Sequence, residues 1–164
     1  HASEVERDVT EADAVWTDQP GQVCAVMVAD CVPILLAAKD GSCVAAIHAG
    51  WRGLAAGVIE RTVHSLPVPS AWLKACIGPS IGVSAYEVGP EVIEQLRSAG
   101  FHPVIKSTHL DLSASAQAQL ARVGVTALTT LPNTCTFAAP ADFYSHRKAA
   151  KTGRFAAFIQ TRTD

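Results

Sequence analysis

The sequence predicts an α/β or α+β layered sandwich with a mixed sheet, and three observations predict it. Short, continuously apolar runs occupy residues 23–28, 32–38 and 43–47, the pattern of strands buried on both faces. The third run feeds a helical pattern at residues 54–66 through His-Ala-Gly-Trp-Arg-Gly. The chain has 164 residues and is 49% hydrophobic, enough for one core and too little for two.

Each element follows from local chemistry. Lys39-Asp40-Gly41-Ser42 separates the second and third apolar runs as a turn. Leu54, Val58 and Val63, with Glu60 and Arg61 between them, give the helical face, and Pro67 stops it. Residues 71–77 form an apolar strand closed by Gly78-Pro79. Residues 90–97 read as a helix, with Pro90 in the first turn and Gly100 beyond the end. A helix at 113–121, a strand at 123–130 and a closing strand at 154–160 complete a single domain over residues 1–164. There is no internal repeat or low-complexity segment.

Composition excludes several partners. Thirteen Lys and Arg against fifteen Asp and Glu leave a formal charge of -2, and no basic stripe interleaves with aromatic residues. Neither nucleic acid nor a charged membrane surface suits such a chain. The longest apolar run, at 32–38, is far shorter than the ~20 residues of a spanning helix, so a soluble, cytoplasmic protein is expected. Five cysteines without a CxxC pair are not a disulfide framework; most read as small buried hydrophobes.

Polar residues interrupt the apolar runs where chemistry is expected. His48 ends an apolar strand, and reactive groups in α/β folds gather where strand ends meet helix starts; the bland alternative is a hydrogen-bonded core histidine. Arg52, between Trp51 and Gly53 at a helix start, suits a phosphate or carboxylate. Asp30 and Cys31 split two apolar runs, and a buried aspartate requires a partner. Cys31 and His48 on adjacent strands are either two soft metal ligands or a nucleophile and its base. Ser145, His146, Arg147, Gly153 and Arg154 form a second polar cluster, with a solvated basic loop as the alternative. Tyr86 suits a pocket wall as well as packing, and Cys135 suits burial better than catalysis. The sequence lacks the HxE and PCxxC of cytidine-type deaminases and the HExxH of zincins. Its six histidines never occur as HxH, and Met27 is the one methionine, which excludes multicopper clusters and a blue-copper site with axial Met.

Ala29-Asp30-Cys31, His48-Ala49-Gly50-Trp51-Arg52-Gly53, Gly78-Pro79-Ser80-Ile81-Gly82, Tyr86-Glu87-Val88-Gly89, Asp111-Leu112, Cys135-Thr136, Ser145-His146-Arg147 and Thr152-Gly153-Arg154 occur in this order. In this the chain resembles the YfiH family, also called the multicopper polyphenol oxidase, laccase-domain or purine nucleoside phosphorylase family. The resemblance runs over essentially the whole chain, and HAGWRG after ADC is its most specific part. It implies a YfiH-like cysteine-hydrolase fold and a metal site of one Cys and two His, falling on Cys31, His48 and His1. Family members carry a further N-terminal portion, which this chain is expected to lack.

The resemblance implies a zinc-dependent enzyme acting on purine nucleosides, by phosphorolysis of adenosine, inosine and methylthioadenosine and by deamination of adenosine. Cys31, His48 and Arg52 are then the catalytic candidates, and Arg52, Tyr86, Ser145 and Arg147 the substrate-binding ones. The expected partners are a nucleoside and phosphate, and the expected state is a monomer or homodimer. Other members are linked to phenol oxidation, with copper as the alternative ion, and to editing of peptidoglycan precursors. A likeness to cysteine-dependent toxin deamidases adds a metal-free reading, with Cys31 as nucleophile and His48 as base.

Overall fold

The structure, a computed structural model, describes residues 12–131 and 135–161. Nine strands and four α-helices occur among them in the order β1 (Ala14–Thr17), β2 (Val23–Val28), β3 (Val32–Ala38), β4 (Val44–Ala49), α1 (Trp51–Ala55), α2 (Val58–Ser65), β5 (Leu73–Ile77), α3 (Pro90–Ser98), β6 (Val104–Lys106), β7 (His109–Asp111), α4 (Leu112–Arg122), β8 (Ala127–Thr130) and β9 (Phe155–Gln160). A five-stranded sheet has the order β1-β4-β3-β5-β8. Its pairings are antiparallel except β5 with β8, which is parallel. The mixed sheet expected from sequence is present.

Side-chain alternation divides the sheet into two faces. Val32, Ile34, Leu36 and Ala38 of β3, with Cys43, Ala45, Ile47 and Ala49 at β4, point toward the helices. There they meet Leu54, Ile59, Val63, Leu96, Leu112, Ala116 and Leu120. Burying a side chain such as Ile34, Leu36 or Ile47 contributes about 1.5–3 kcal/mol. On the opposite face, Leu35, Ala37, Val44 and Ala46 pack against Cys24, Val26, Ala157 and Ile159. The last four belong to β2 and β9, which form a separate antiparallel ribbon. The result is three layers: helices, central sheet and ribbon.

Four sequence expectations change. Residues 54–66 are not one helix, because Gly57 at φ 74° turns the chain left-handed and parts α1 from α2. The run at 23–28 is buried on one face only: Cys24, Val26 and Val28 point inward, while Val23 and Met27 are exposed beside Phe158. The strand expected at 123–130 is confined to β8, since α4 extends to Arg122 and Gly124 at φ 90° must reverse the chain first. The strand expected at 71–77 starts at Leu73, after a 3-10 turn over Ser70–Trp72. In addition, β4 runs two residues beyond the predicted Ile47, so His48 lies inside a strand.

Strand directions bring the amino ends of β1 and β3 to the same sheet edge as the carboxyl ends of β4, β5 and β8. The candidate residues collect there.

Candidate active site

His48 pairs with Pro33 across β4 and β3, so Cys31, two residues before Pro33, is its diagonal neighbour on the same face. Diagonal pairs in antiparallel sheets lie about 7–8 Å apart at Cα, within reach of long or polar side chains. A Cβ placed on Gly50 would stand 2.9 Å from Cys31 Sγ and 3.8 Å from His48 Cε1. Both reactive side chains therefore converge on a single point that only a glycine leaves free. Cys31 and His48 are both partly exposed, and Cys31 is a free thiol.

Asp13 holds the other side of the imidazole. The β1–β4 ladder continues one step beyond Ala14 through the His48 N–H, which donates to the Asp13 carbonyl at 2.7 Å. The register places the Asp13 carboxylate beside the ring, with Nδ1 to Oδ1 at 2.8 Å. In this setting the His48 pKa is pushed up to about 9. The hydrogen bond with the Cys31 side chain is the largest cause, and the Asp13 bond adds to it, while burial opposes both. Sequence reasoning missed Asp13. It lies 35 residues from His48, and although Glu11-Ala12-Asp13-Ala14 resembles the family's pattern, no local spacing ties Asp13 to the ring.

Asp30 has the partners its burial demands. At 8% exposed, it accepts the Thr136 hydroxyl at 2.7 Å on Oδ1 and the Arg147 backbone N–H at 2.7 Å on Oδ2. Its carbonyl accepts the Ile81 N–H at 2.9 Å. Arg147 then extends over Tyr86, with its guanidinium carbon 4.9 Å from the ring centroid. Its Nη1 donates to the Glu87 carbonyl at 2.9 Å. Arg52 stacks on Trp51 at 4.4 Å, and both guanidinium groups remain exposed. The Tyr86 phenol is pushed up to about 12, chiefly by burial and then by Cys31, against the pull of Arg147 and Arg52. Cys31, Tyr86, Arg52 and Arg147 thus share one electrostatic neighbourhood.

The remaining candidates sort differently. The Ser145 hydroxyl is buried and accepts the Lys148 N–H at 3.2 Å, closing its own turn. Cys135 is half-buried, and its sulfur accepts the Gly82 N–H at 3.2 Å. A cavity of about 610 Å³ lies at the carboxyl ends of β5 and β8, lined by Gly78, Ser80, Ile81, Asp111 and Cys135 among others. It neighbours the Cys31 edge through Ile81 without including Cys31 or His48.

The donor chemistry at the edge suits a zinc-type ion in part. A thiol and an imidazole whose second nitrogen is held by a carboxylate match the carboxylate–histidine arrangement of metal centres. Among the described residues no third His, Cys, Asp or Glu joins them. His1, the third ligand implied by resemblance, lies outside the described residues.

The fold and site define a layered α/β protein with a thiol–imidazole centre on a sheet edge, faced by two arginines stacked on aromatic rings. The chain belongs to the multi-copper polyphenol oxidoreductase laccase family, whose profile matches residues 1–162. It is 44% identical to purine nucleoside phosphorylase PA4543 of Pseudomonas aeruginosa, over 92% of this chain and 65% of that protein. It is 42% identical to purine nucleoside phosphorylase YfiH of Escherichia coli, over 90% of this chain and 63% of that one. Among solved structures it is similar to Neisseria meningitidis protein NMB0706, at TM-score 0.82 and 38% identity, covering 93% of this chain and 65% of the other. YlmD from Geobacillus stearothermophilus gives TM-score 0.83 and 32% identity over 93% of this chain and 62% of that one. The chain therefore spans just under two thirds of the length of these relatives. No described helix is long and apolar enough to cross a membrane.

Proposed function

We propose that the protein is a purine nucleoside phosphorylase that cleaves adenosine, inosine and methylthioadenosine with inorganic phosphate, and that it also deaminates adenosine. The observation that carries this reading is the pairing of the Cys31–His48 centre with two exposed guanidinium groups, Arg52 stacked on Trp51 and Arg147 stacked on Tyr86, both of which act electrostatically on the Tyr86 phenol. The relatives named purine nucleoside phosphorylase support the substrate class. Cys31, His48 and His1 would hold zinc, which when bound supplies a Lewis acid and a water of lowered pKa.

The protein's own groups account for binding and orientation. Arg52 and Arg147 offer planar forks matched to a phosphate oxyanion. Stacking on Trp51 and Tyr86 limits the side-chain freedom lost when phosphate binds. In phosphorolysis an oxygen of hydrogen phosphate bonds to ribose C1′ while the C1′–N9 bond breaks, and the proton given up by the phosphate goes to the departing base. Tyr86, kept as a neutral phenol at working pH, can donate a hydrogen bond without adding negative charge beside the phosphate. Asp13 fixes the His48 ring so that one nitrogen faces Cys31.

The Asp13–His48–Cys31 series also favours a second reading, a metal-free hydrolase in which His48 activates the Cys31 thiol and Asp13 orients His48. Incubating the purified protein with adenosine or inosine, with and without phosphate, and separating the products tests both. Phosphate-dependent release of free base that is lost with a strong chelator and restored by zinc supports the phosphorylase. Turnover insensitive to chelator supports the hydrolase, and replacing His1 by Ala tests the third ligand by zinc stoichiometry.

A further inference from the structure

Asp30 joins the thiol half of the site to the Arg147 guanidinium. Its main chain leads directly into Cys31, and its carboxylate receives the backbone N–H of Arg147 at 2.7 Å. The contact spans 117 residues of sequence. The second oxygen receives Thr136 at 2.7 Å. Both partners are donors, and the residue is 8% exposed, with no side-chain cation paired to its carboxylate among the described residues. Burying a carboxylate on two neutral donors is costly, so a group with two fixed acceptor directions is serving a purpose here beyond filling space.

At its far end, Arg147 is held by the Glu87 carbonyl at 2.9 Å and by the Tyr86 ring. Its main chain at the near end is held by Asp30. Arg147 is therefore held at both ends, its main chain by Asp30, which adjoins Cys31, and its guanidinium by Glu87 and Tyr86.

We propose that Asp30 is the positioning residue of the anion subsite, setting the separation between the Arg147 guanidinium and the Cys31–His48 centre. This rests on the reading of Arg147 as a phosphate ligand. Asp30 touches no reacting atom and acts through Arg147. The role is one of acceptor geometry, so asparagine can substitute. Its amide donates to the Thr136 hydroxyl, which also accepts, while its oxygen keeps the Arg147 N–H. Alanine keeps neither contact.

The test is calorimetric titration of inorganic phosphate into the zinc-loaded protein and its variants, with zinc content and melting temperature measured on each. Asp30→Ala is expected to weaken phosphate binding about tenfold, the scale of one lost hydrogen bond to a charged group, while zinc content is unchanged. Asp30→Asn is expected to stay within about threefold of the parent, the remaining difference being geometric. Asp30→Ala with Arg147→Ala together should bind no worse than Arg147→Ala alone, because both remove the same interaction. Where Asp30→Ala does not fold, Thr136→Val replaces it, with a loss of about threefold that again disappears in the Arg147→Ala background. Losses that add to that of Arg147→Ala overturn the proposal. So does an asparagine variant as weak as the alanine one, or a parent protein that binds no phosphate. Nucleoside turnover by the parent, measured separately, reports on the phosphorylase reading alone.

Discussion

Asp13 and His48 are cross-strand neighbours joined twice, backbone to backbone at 2.7 Å and carboxylate to imidazole at 2.8 Å. The double link means that the β1–β4 register, set by Ala14 opposite Ile47, also sets the orientation of the ring. A one-residue slip of β1 would turn the carboxylate to the other face.

Replacing Asp13 by Ala should leave the fold intact, since its side chain is 55% exposed. The imidazole loses its orienting partner. Removing such a partner weakens metal binding by about 10–100-fold, and this exposed one belongs at the lower end. Zinc competition with a chromophoric chelator measures it. An unchanged affinity would mean that Cys31 and His48 hold no metal or that the ring is oriented without Asp13.

Gly50→Ala tests the convergence of the two reactive side chains. A Cβ at this position would meet Cys31 Sγ at 2.9 Å, closer than real Cβ contacts allow, so the thiol must rotate away. The thiol should then no longer face the same point as His48, and cobalt titration should give no thiolate-to-metal absorption band at concentrations that saturate the parent. A full-strength band in Gly50→Ala would show that the thiol has room to spare.

Much of this arrangement was legible in the sequence, and its limits have physical causes. β3 read correctly because Val32 to Ala38 is apolar on both faces, one side meeting helices and the other the ribbon. β2 read as equally buried because Val23, Ala25 and Met27 are also apolar, although they face outward. Sequence cannot tell an apolar residue that is covered from one that is not. The break at Gly57 was visible as a glycine, but periodicity alone runs through it. Cys31 and His48 announced themselves as polar interruptions of apolar runs. The partners that orient the site did not: Asp13 pairs with His48 through strand register, and Thr136 reaches Asp30 over 106 residues. Such contacts are products of topology, with no local spacing to reveal them.

The core between sheet and helices should respond as a close-packed one. Leu36 is fully buried at the centre of β3, between β4 and β5. Leu36→Ala should cost about 2–5 kcal/mol, lowering the melting temperature by about 2–4 °C per kcal/mol in a domain of this size. Thermal unfolding followed by circular dichroism checks this, and a shift below a few degrees would indicate that neighbouring side chains collapse into the space.

Arg52 separates the two proposed reactions. Phosphate is consumed in phosphorolysis and takes no part in deamination, so a residue that binds phosphate should matter to the first far more than to the second. Arg52 is exposed at the guanidinium and braced on Trp51 at 4.4 Å, a geometry that presents a planar fork to solvent. Lysine keeps the charge but offers a flexible ammonium that cannot bind two oxygens in parallel or stack in the same way. Arg52→Lys should therefore raise KM for phosphate about tenfold, equivalent to one charge-assisted hydrogen bond, with a smaller change in kcat. Deamination of adenosine by the same preparation should fall less than about twofold, within the range of a peripheral contact. Equal losses in the two activities would place Arg52 in the nucleoside pocket itself and leave Arg147 as the anion ligand.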